Sequence, residues 1–455
     1  MNAARRVVRQ GILHLVYRTA RSASELKISF ASMVEGTGFF PVSRPGTLPL
    51  RREPSGMCVA DGRSALVSRT AFLGVLAAAA VPLVAGSAAA EAADVASAGT
   101  PFPEPRGPLT PGNAAAAMLA RNSNLAAASY ARVEALLASI GDSSLHAALL
   151  DAIRNPQALY ASKHPTPSSR LAVRDELARA GFVAADAPVG GVFPAGTEPA
   201  ALVAIQPFWA APGSSRGSHH AYPGGLALHE SFNATMAQGY ASTYDLHYFG
   251  GRPVVSRDTV VAAALYHDIM KTVVFGWNDD GTLYDELTIA GTGAHHILSG
   301  AEAITRGHGA RFVVTLLSAH AAPSLGDEAK VIAWSRAAAI VAGVDPVDYG
   351  LLRRDGSGYA LAADPVPLEA FINHLSDHDY VVSIHAMRVV SARLEQRWAQ
   401  ITELAYLAPT FDWYRAMLLT RTSALTLYTT LAQYGDAAFE SAIVRTEMQL
   451  TPLRV

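Results

Sequence analysis

Of fifteen histidines in the chain, His219, His220, His229, His247, His267, His295, His296, His308 and His320 crowd into one stretch. Several sit in otherwise apolar helical windows. His229 closes HHAYPGGLALH, and His267 and Asp268 stand side by side in VVAAALYHDIMK. His295 and His296 share GTGAHHILSGAEAI, and His320 ends VVTLLSAH. Burying a carboxylate or an imidazole without a partner is unfavourable. One histidine on an apolar face is ordinarily a satisfied core residue. Four such helices, one with an adjacent aspartate, fit a bound divalent cation, which offsets the desolvation and takes neutral imidazoles as ligands. The gaps between segments each hold a helix and a connection, so the donors would converge from separate helices of a bundle. The single cysteine is Cys58, so any metal is held by histidine and carboxylate. One or two ions of Fe, Mn or Zn suit such donors, and the donor set does not choose among them.

The elements that must position these groups read as all-α. The chain has 455 residues, 50% hydrophobic and 16% charged, with a formal net charge of -2. That is apolar enough for a sizeable core, and it lacks the basic stripe that duplex nucleic acid requires. Residues 91–112 form a Pro/Gly linker and 113–214 an N-terminal helical segment with loops. Residues 215–345 carry the histidine-rich core, and 346–455 form a C-terminal helical region.

Residues 63–90 have the anatomy of a secretory signal. Arg63 and Arg69 supply the positive region, Ala71 to Gly86 the apolar run and Ala88-Ala89-Ala90 the small-x-small cleavage pattern. The run is about sixteen residues, short of the roughly twenty of a membrane span; an uncleaved anchor is the competing reading. The residues before Met57 show no sustained periodicity, which points to translation starting at Met57 and to 1–56 as an upstream extension. The expectation is an exported protein beginning near Glu91, with 57–90 removed and no stable membrane span thereafter.

Taken in order, the four segments resemble the HD superfamily of metal-dependent phosphohydrolases over residues 215–345. HHAYPGGLALH resembles the HHxYxGGLxxH opening, LYHDIMK the HDxxK signature, GAHHILSG the GHIxxG segment and LLSAHAAP the LSHHG segment. The resemblance implies His229, His267, Asp268, His296 (rather than His295) and His320 as metal ligands. It implies Lys271 and Asp268 in catalysis, with Lys271 facing phosphate and Asp268 bridging ions or orienting water. His220 becomes a substrate contact, and the substrate a small-molecule phosphoester. The chain departs from the pattern where the last aspartate is expected: EAKVIAWSRAAAIVAG puts Arg336 there, and Asp345 reads as a loop residue. The departure keeps open a degenerate HD scaffold that only binds, and the same His/Asp frame, used by some members for O₂ chemistry, keeps open a di-iron HD oxygenase. A second pair, His378-Asp379, has polar neighbours and reads as a solvated helix start.

Overall fold

A computed structural model of the chain describes residues 102–197, 205–324 and 326–454. The proposed upstream extension, the signal segment and residues 91–101 of the linker lie outside them. The described residues are predominantly helical, as the sequence predicts. The N-terminal part holds α1 (Pro111–Arg121), α2 (Asn124–Ala138), α3 (Ser143–Arg154), α4 (Leu159–Ser162), α5 (Pro167–Arg179) and α6 (Val189–Val192). Four of these helices start on a side-chain cap: Thr110, Ser123, Asp142 and Thr166 accept from backbone N–H groups of the first turn, satisfying donors a helix start leaves unpaired.

The central helix α7 (Gly225–Tyr248) begins at the Pro-Gly-Gly of the histidine-rich opening. Gly224, its N-cap, has φ 82°, a conformation glycine enters without penalty. A Cβ at Gly225 would lie 1.9 Å from the His220 carbonyl oxygen. The chain therefore doubles back tightly here, and α7 starts with His229 aimed inward. Helix α8 (Arg257–Tyr266) is capped by Ser256 and buried continuously from Val260 to Tyr266. It ends at His267; Asp268 occupies the turn that follows, and the short α9 (Lys271–Val274) comes next.

Strands β1 (Thr288–Ile289) and β2 (Thr292–Gly293) form a two-stranded antiparallel hairpin. Ala290 and Gly291 turn it with φ of 51° and 78°. The hairpin delivers the chain into α10 (Ala294–Thr305), then α11 (Ala310–Leu317) and α12 (Glu328–Ala342). A second hairpin, β3 (Leu352–Asp355) with β4 (Gly358–Leu361), precedes α13 (Leu368–Ser376). The chain closes with α14 (Tyr380–Gln400), α15 (Phe411–Arg421) and α16 (Ala424–Glu447), the last broken at Gly435.

Two apolar cores result. The larger joins α2 and α7–α13, with Leu226, Leu265, Ile297, Leu317, Val341 and Ile372 all buried. The smaller lies among α14–α16 and draws in Tyr222 and Trp277, which stacks on Trp413 at 5.5 Å. Burying each large side chain of this kind contributes roughly 1.5–3 kcal/mol. The connection between α13 and α14 crosses from one core to the other. No helix among the described residues is long and apolar enough to cross a membrane.

Candidate metal centre

Six side chains converge between the ends of these helices. On α7, His229 lies one turn before Asn233. Its Nε2 stands 3.3 Å from Asp268 Oδ2 and 3.2 Å from Asp377 Oδ1. His267 Nε2 stands 3.4 Å from each of the same two oxygens. On the other side, His295 Nε2 lies 3.2 Å and His320 Nε2 3.7 Å from Asp268 Oδ1, and His320 Nε2 is 3.5 Å from Asp377 Oδ2. Asp268 thus presents one oxygen to the His229/His267 pair and the other to the His295/His320 pair.

The surroundings fix which nitrogens are free. His267 Nδ1 donates to the Ala264 carbonyl at 2.8 Å, which leaves Nε2 pointing inward without a hydrogen bond. Glu286 accepts from both the backbone N–H and Nδ1 of His295, orienting its Nε2 on Asp268 in the same way. A carboxylate or carbonyl behind an imidazole fixes the ring and its tautomer in metal sites. Asn233 donates to Asp377 Oδ1 at 2.9 Å, so α7 also aims the second carboxylate.

The cluster is sealed and polar. Side-chain exposure is 0% at Asp268, 1% at His229 and His267 and 5% at Asp377, against 23% at His320, so the approach lies on the His320 side. Asp268 Oδ1 and the Nε2 atoms of His267 and His295 are buried without a hydrogen-bond partner, while Asp268 Oδ2 is ion-paired with Lys271. Orphaned buried lone pairs of this kind cost free energy, and a divalent cation satisfies them together. Burial opposes ionisation of Asp268, but His267, Lys271 and His295 override it and hold the carboxyl well below its usual range. Burial lowers His320 to about 4 despite Asp377 and Asp268, so its ring is neutral at neutral pH. Two groups drawn from these side chains, His267/His320/Asp377 and Asp268/His295/His320, each bring their donor atoms within 4.8 Å of one another and could hold a metal ion, as do His229/Glu230/His267/Asp268 and His219/His220/His229.

Of the residues singled out in the sequence, His229, His267, Asp268 and His320 meet here. His296 does not. Its ring packs on His320 at 4.2 Å and edge-on to Trp334 at 4.7 Å, away from both carboxylates, whereas His295 points at Asp268. Lys271 is neither solvated nor free to face a phosphate. It is buried, paired with Asp268 and donating to the Gly213 carbonyl. His220 is no open substrate contact either. It sits at φ 51°, enclosed, with Nδ1 on the Tyr222 hydroxyl at 3.0 Å and Nε2 on Asp379 at 2.7 Å.

Arg336 lies away from the donors, its guanidinium over the rings of Phe182 and Tyr359 at 5.5 and 5.4 Å. Asp345 is exposed and caps a turn through the N–H groups of Val347 and Asp348. The second carboxylate of the cluster is Asp377, beyond the second hairpin, so the cluster does not end near residue 345. It stands beside the pair that reads as a solvated helix start. His378 is indeed exposed, but Asp379 is largely buried. Asp377 and Glu286 escaped the sequence reading, which also set His295 aside for His296. A signal for Asp377 existed: an acid directly after the apolar helix LEAFINHLS, where a chain leaving one core would bury it.

No protein-family model matches this chain, and no curated protein or solved structure matches it either. The class defined by fold and site is a helical protein with a buried His/Asp cluster compatible with an HD-type metal centre.

Proposed function

We propose that the protein is a metal-dependent phosphohydrolase of the HD type, acting on a small phosphoester. One observation carries the reading: four imidazole Nε2 atoms and two carboxylates converge, with Asp268 offering one oxygen to each histidine pair. His229, His267, Asp268, His295, His320 and Asp377 would together hold one or two cations. Bound cations of this kind lower the pKa of a coordinated water and polarise a phosphoryl oxygen.

The chain's own groups prepare this chemistry. Ala264 and Glu286 accept from Nδ1 of His267 and His295 and turn both Nε2 atoms toward the carboxylates, whose charge raises the pKa of both rings, so a cation would take the place of a proton on each. Lys271 offsets the charge of Asp268 at Oδ2, the oxygen that also faces His229 and His267, and ties it to the Gly213 loop, acting on the carboxylate rather than on substrate. His320, the most exposed donor, borders the side from which a phosphoester reaches the centre. Asp377 supplies the carboxylate whose apparent loss at Arg336 favoured a degenerate, purely binding scaffold. The reading of residues 57–90 as an export signal belongs to the proposal and rests on the sequence.

Elemental analysis of the wild type, His267→Ala and Asp377→Ala tests the reading, followed by a phosphoester panel with the reconstituted protein. The expected result is one or two equivalents of Fe, Mn or Zn, lost in both variants, with hydrolysis that follows the metal. A folded wild type that takes up no metal, or a loaded one that cleaves no phosphoester, overturns it.

A further inference from the structure

We infer that His220 and Asp379 form a positioning pair that holds Asp377 in the metal centre by clamping the start of α14 to the loop before α7. The inference rests on the metal reading above.

The geometry is specific. Asp379 is the N-cap residue of α14, two residues after Asp377. Its Oδ2 accepts from His220 Nε2 at 2.7 Å and from the Ser383 hydroxyl at 2.8 Å, and its side chain is 7% exposed. Because a carboxylate only accepts, His220 Nε2 carries the proton and Nδ1 accepts from the Tyr222 hydroxyl. Tyr222 is fully buried in the smaller core. The chain Tyr222–His220–Asp379–Ser383 is therefore anchored at both ends.

The His220 end is built as a fixed point. His220 adopts φ 51°, uncommon for a residue with a side chain. Its carbonyl accepts from the N–H groups of Gly213 and Tyr222 at 2.9 and 2.8 Å. A Cβ on Gly225 would collide with that carbonyl, and one on Gly213 with the His220 side chain. Strain of this kind persists where surrounding structure over-determines it, and it clusters at functional sites. The same Gly213 accepts from Lys271, so one loop braces both Asp268 and, through Asp379, Asp377. Asn233 holds Asp377 from the α7 side. The clamp holds it from the other, where the chain passes between the two cores.

The test is metal affinity, read separately from stability, in Asp379→Ala, Asp379→Asn and His220→Ala of the full chain. Competition with a chelator of known affinity, using Zn and Mn alone as probes, gives the dissociation constant. Melting temperature reports the fold. Removing an outer partner of a metal centre typically weakens binding 10–100-fold. The expected outcome is a loss of at least about tenfold in Asp379→Ala and His220→Ala, measured well below their melting temperatures. Asp379→Asn, whose amide oxygen still accepts from His220, recovers most of the affinity. The double variant loses little beyond either single one, because both break one clamp. A purely structural pair would lower the melting temperature and leave the affinity of the folded protein unchanged; that result overturns the inference. Should Asp379→Ala not fold, Asp379→Asn and Ser383→Ala carry the test: affinity in Ser383→Ala indistinguishable from wild type, with Asp379→Asn no tighter than His220→Ala, also overturns it. A wild type that binds no metal overturns the metal reading itself, an outcome distinct from either.

Discussion

Replacing Asp377 separates the centre seen in the structure from the one the sequence suggested. A ligand that binds only the folded protein stabilises it by RT ln(1 + [L]/Kd), about 2.7 kcal/mol at a hundredfold excess over Kd. Unfolding entropy near 2.1 cal/mol/K per residue over roughly 350 residues gives about 0.7 kcal/mol/K, so saturating metal raises the wild-type Tm by about 4 °C. Asp377 contacts three of the four inward nitrogens. Its removal costs more than the 10–100-fold of an outer partner. At the same metal concentration Asp377→Ala is then near its Kd, and the shift falls below about 1 °C. Arg336→Ala is the control. It strips a cation from the rings of Phe182 and Tyr359, lowering the starting Tm by about 1 °C, and retains the full metal shift. Differential scanning fluorimetry with Zn or Mn titrated into each variant measures all three. A full shift in Asp377→Ala, or its loss in Arg336→Ala, refutes the assignment.

Two further outcomes are expected. His308 is buried against Tyr266 and Phe312 with Nε2 unpartnered, and burial, aided by Arg306, lowers its pKa to about 4. Between about 4 and 6.5 the unfolded chain takes a proton that the folded chain refuses. Stability present above pH 6.5 is therefore lost as pH falls to 4, by up to about 3 kcal/mol; urea denaturation across that window should show this slope, flattened in His308→Leu. On α7, Gly225→Ala meets the His220 carbonyl and should cost about 3 kcal/mol or more, whereas Gly239→Ala enters open space mid-helix and should gain roughly 0.5–1 kcal/mol; equal effects in denaturation experiments would contradict the packing described.

The helical fold and much of the site were legible because apolar helices that bury histidine and aspartate announce a compensating partner. His229, His267, Asp268 and His320 each stand at a helix start or end where their direction follows from the local pattern. The choice between His295 and His296 did not follow from that pattern. Both lie in the first turn of α10, and what selects His295 is Glu286, across a hairpin whose turn residues pass almost unnoticed in sequence. Asp377 was hidden by the inserted β3–β4 hairpin, which displaces it from the helix where spacing would seek it. Lys271, which the resemblance turns to phosphate, is enclosed by the approach of Gly213 and paired with Asp268, contacts that the local pattern does not show. The buried half of the His378-Asp379 pair owes its burial to His220, 159 positions away in the chain.

The enclosure of the donors also bears on time. On the proposed reading, a cation would sit among six side chains of which five are no more than 9% exposed, too enclosed to trade places with solvent ions by simple diffusion. Exchange waits for the His320 side or the α13–α14 crossing to open, a fluctuation whose frequency falls with its free-energy cost. The metal such a protein carries is then a record of what was available as it folded, more than of the ions surrounding it later.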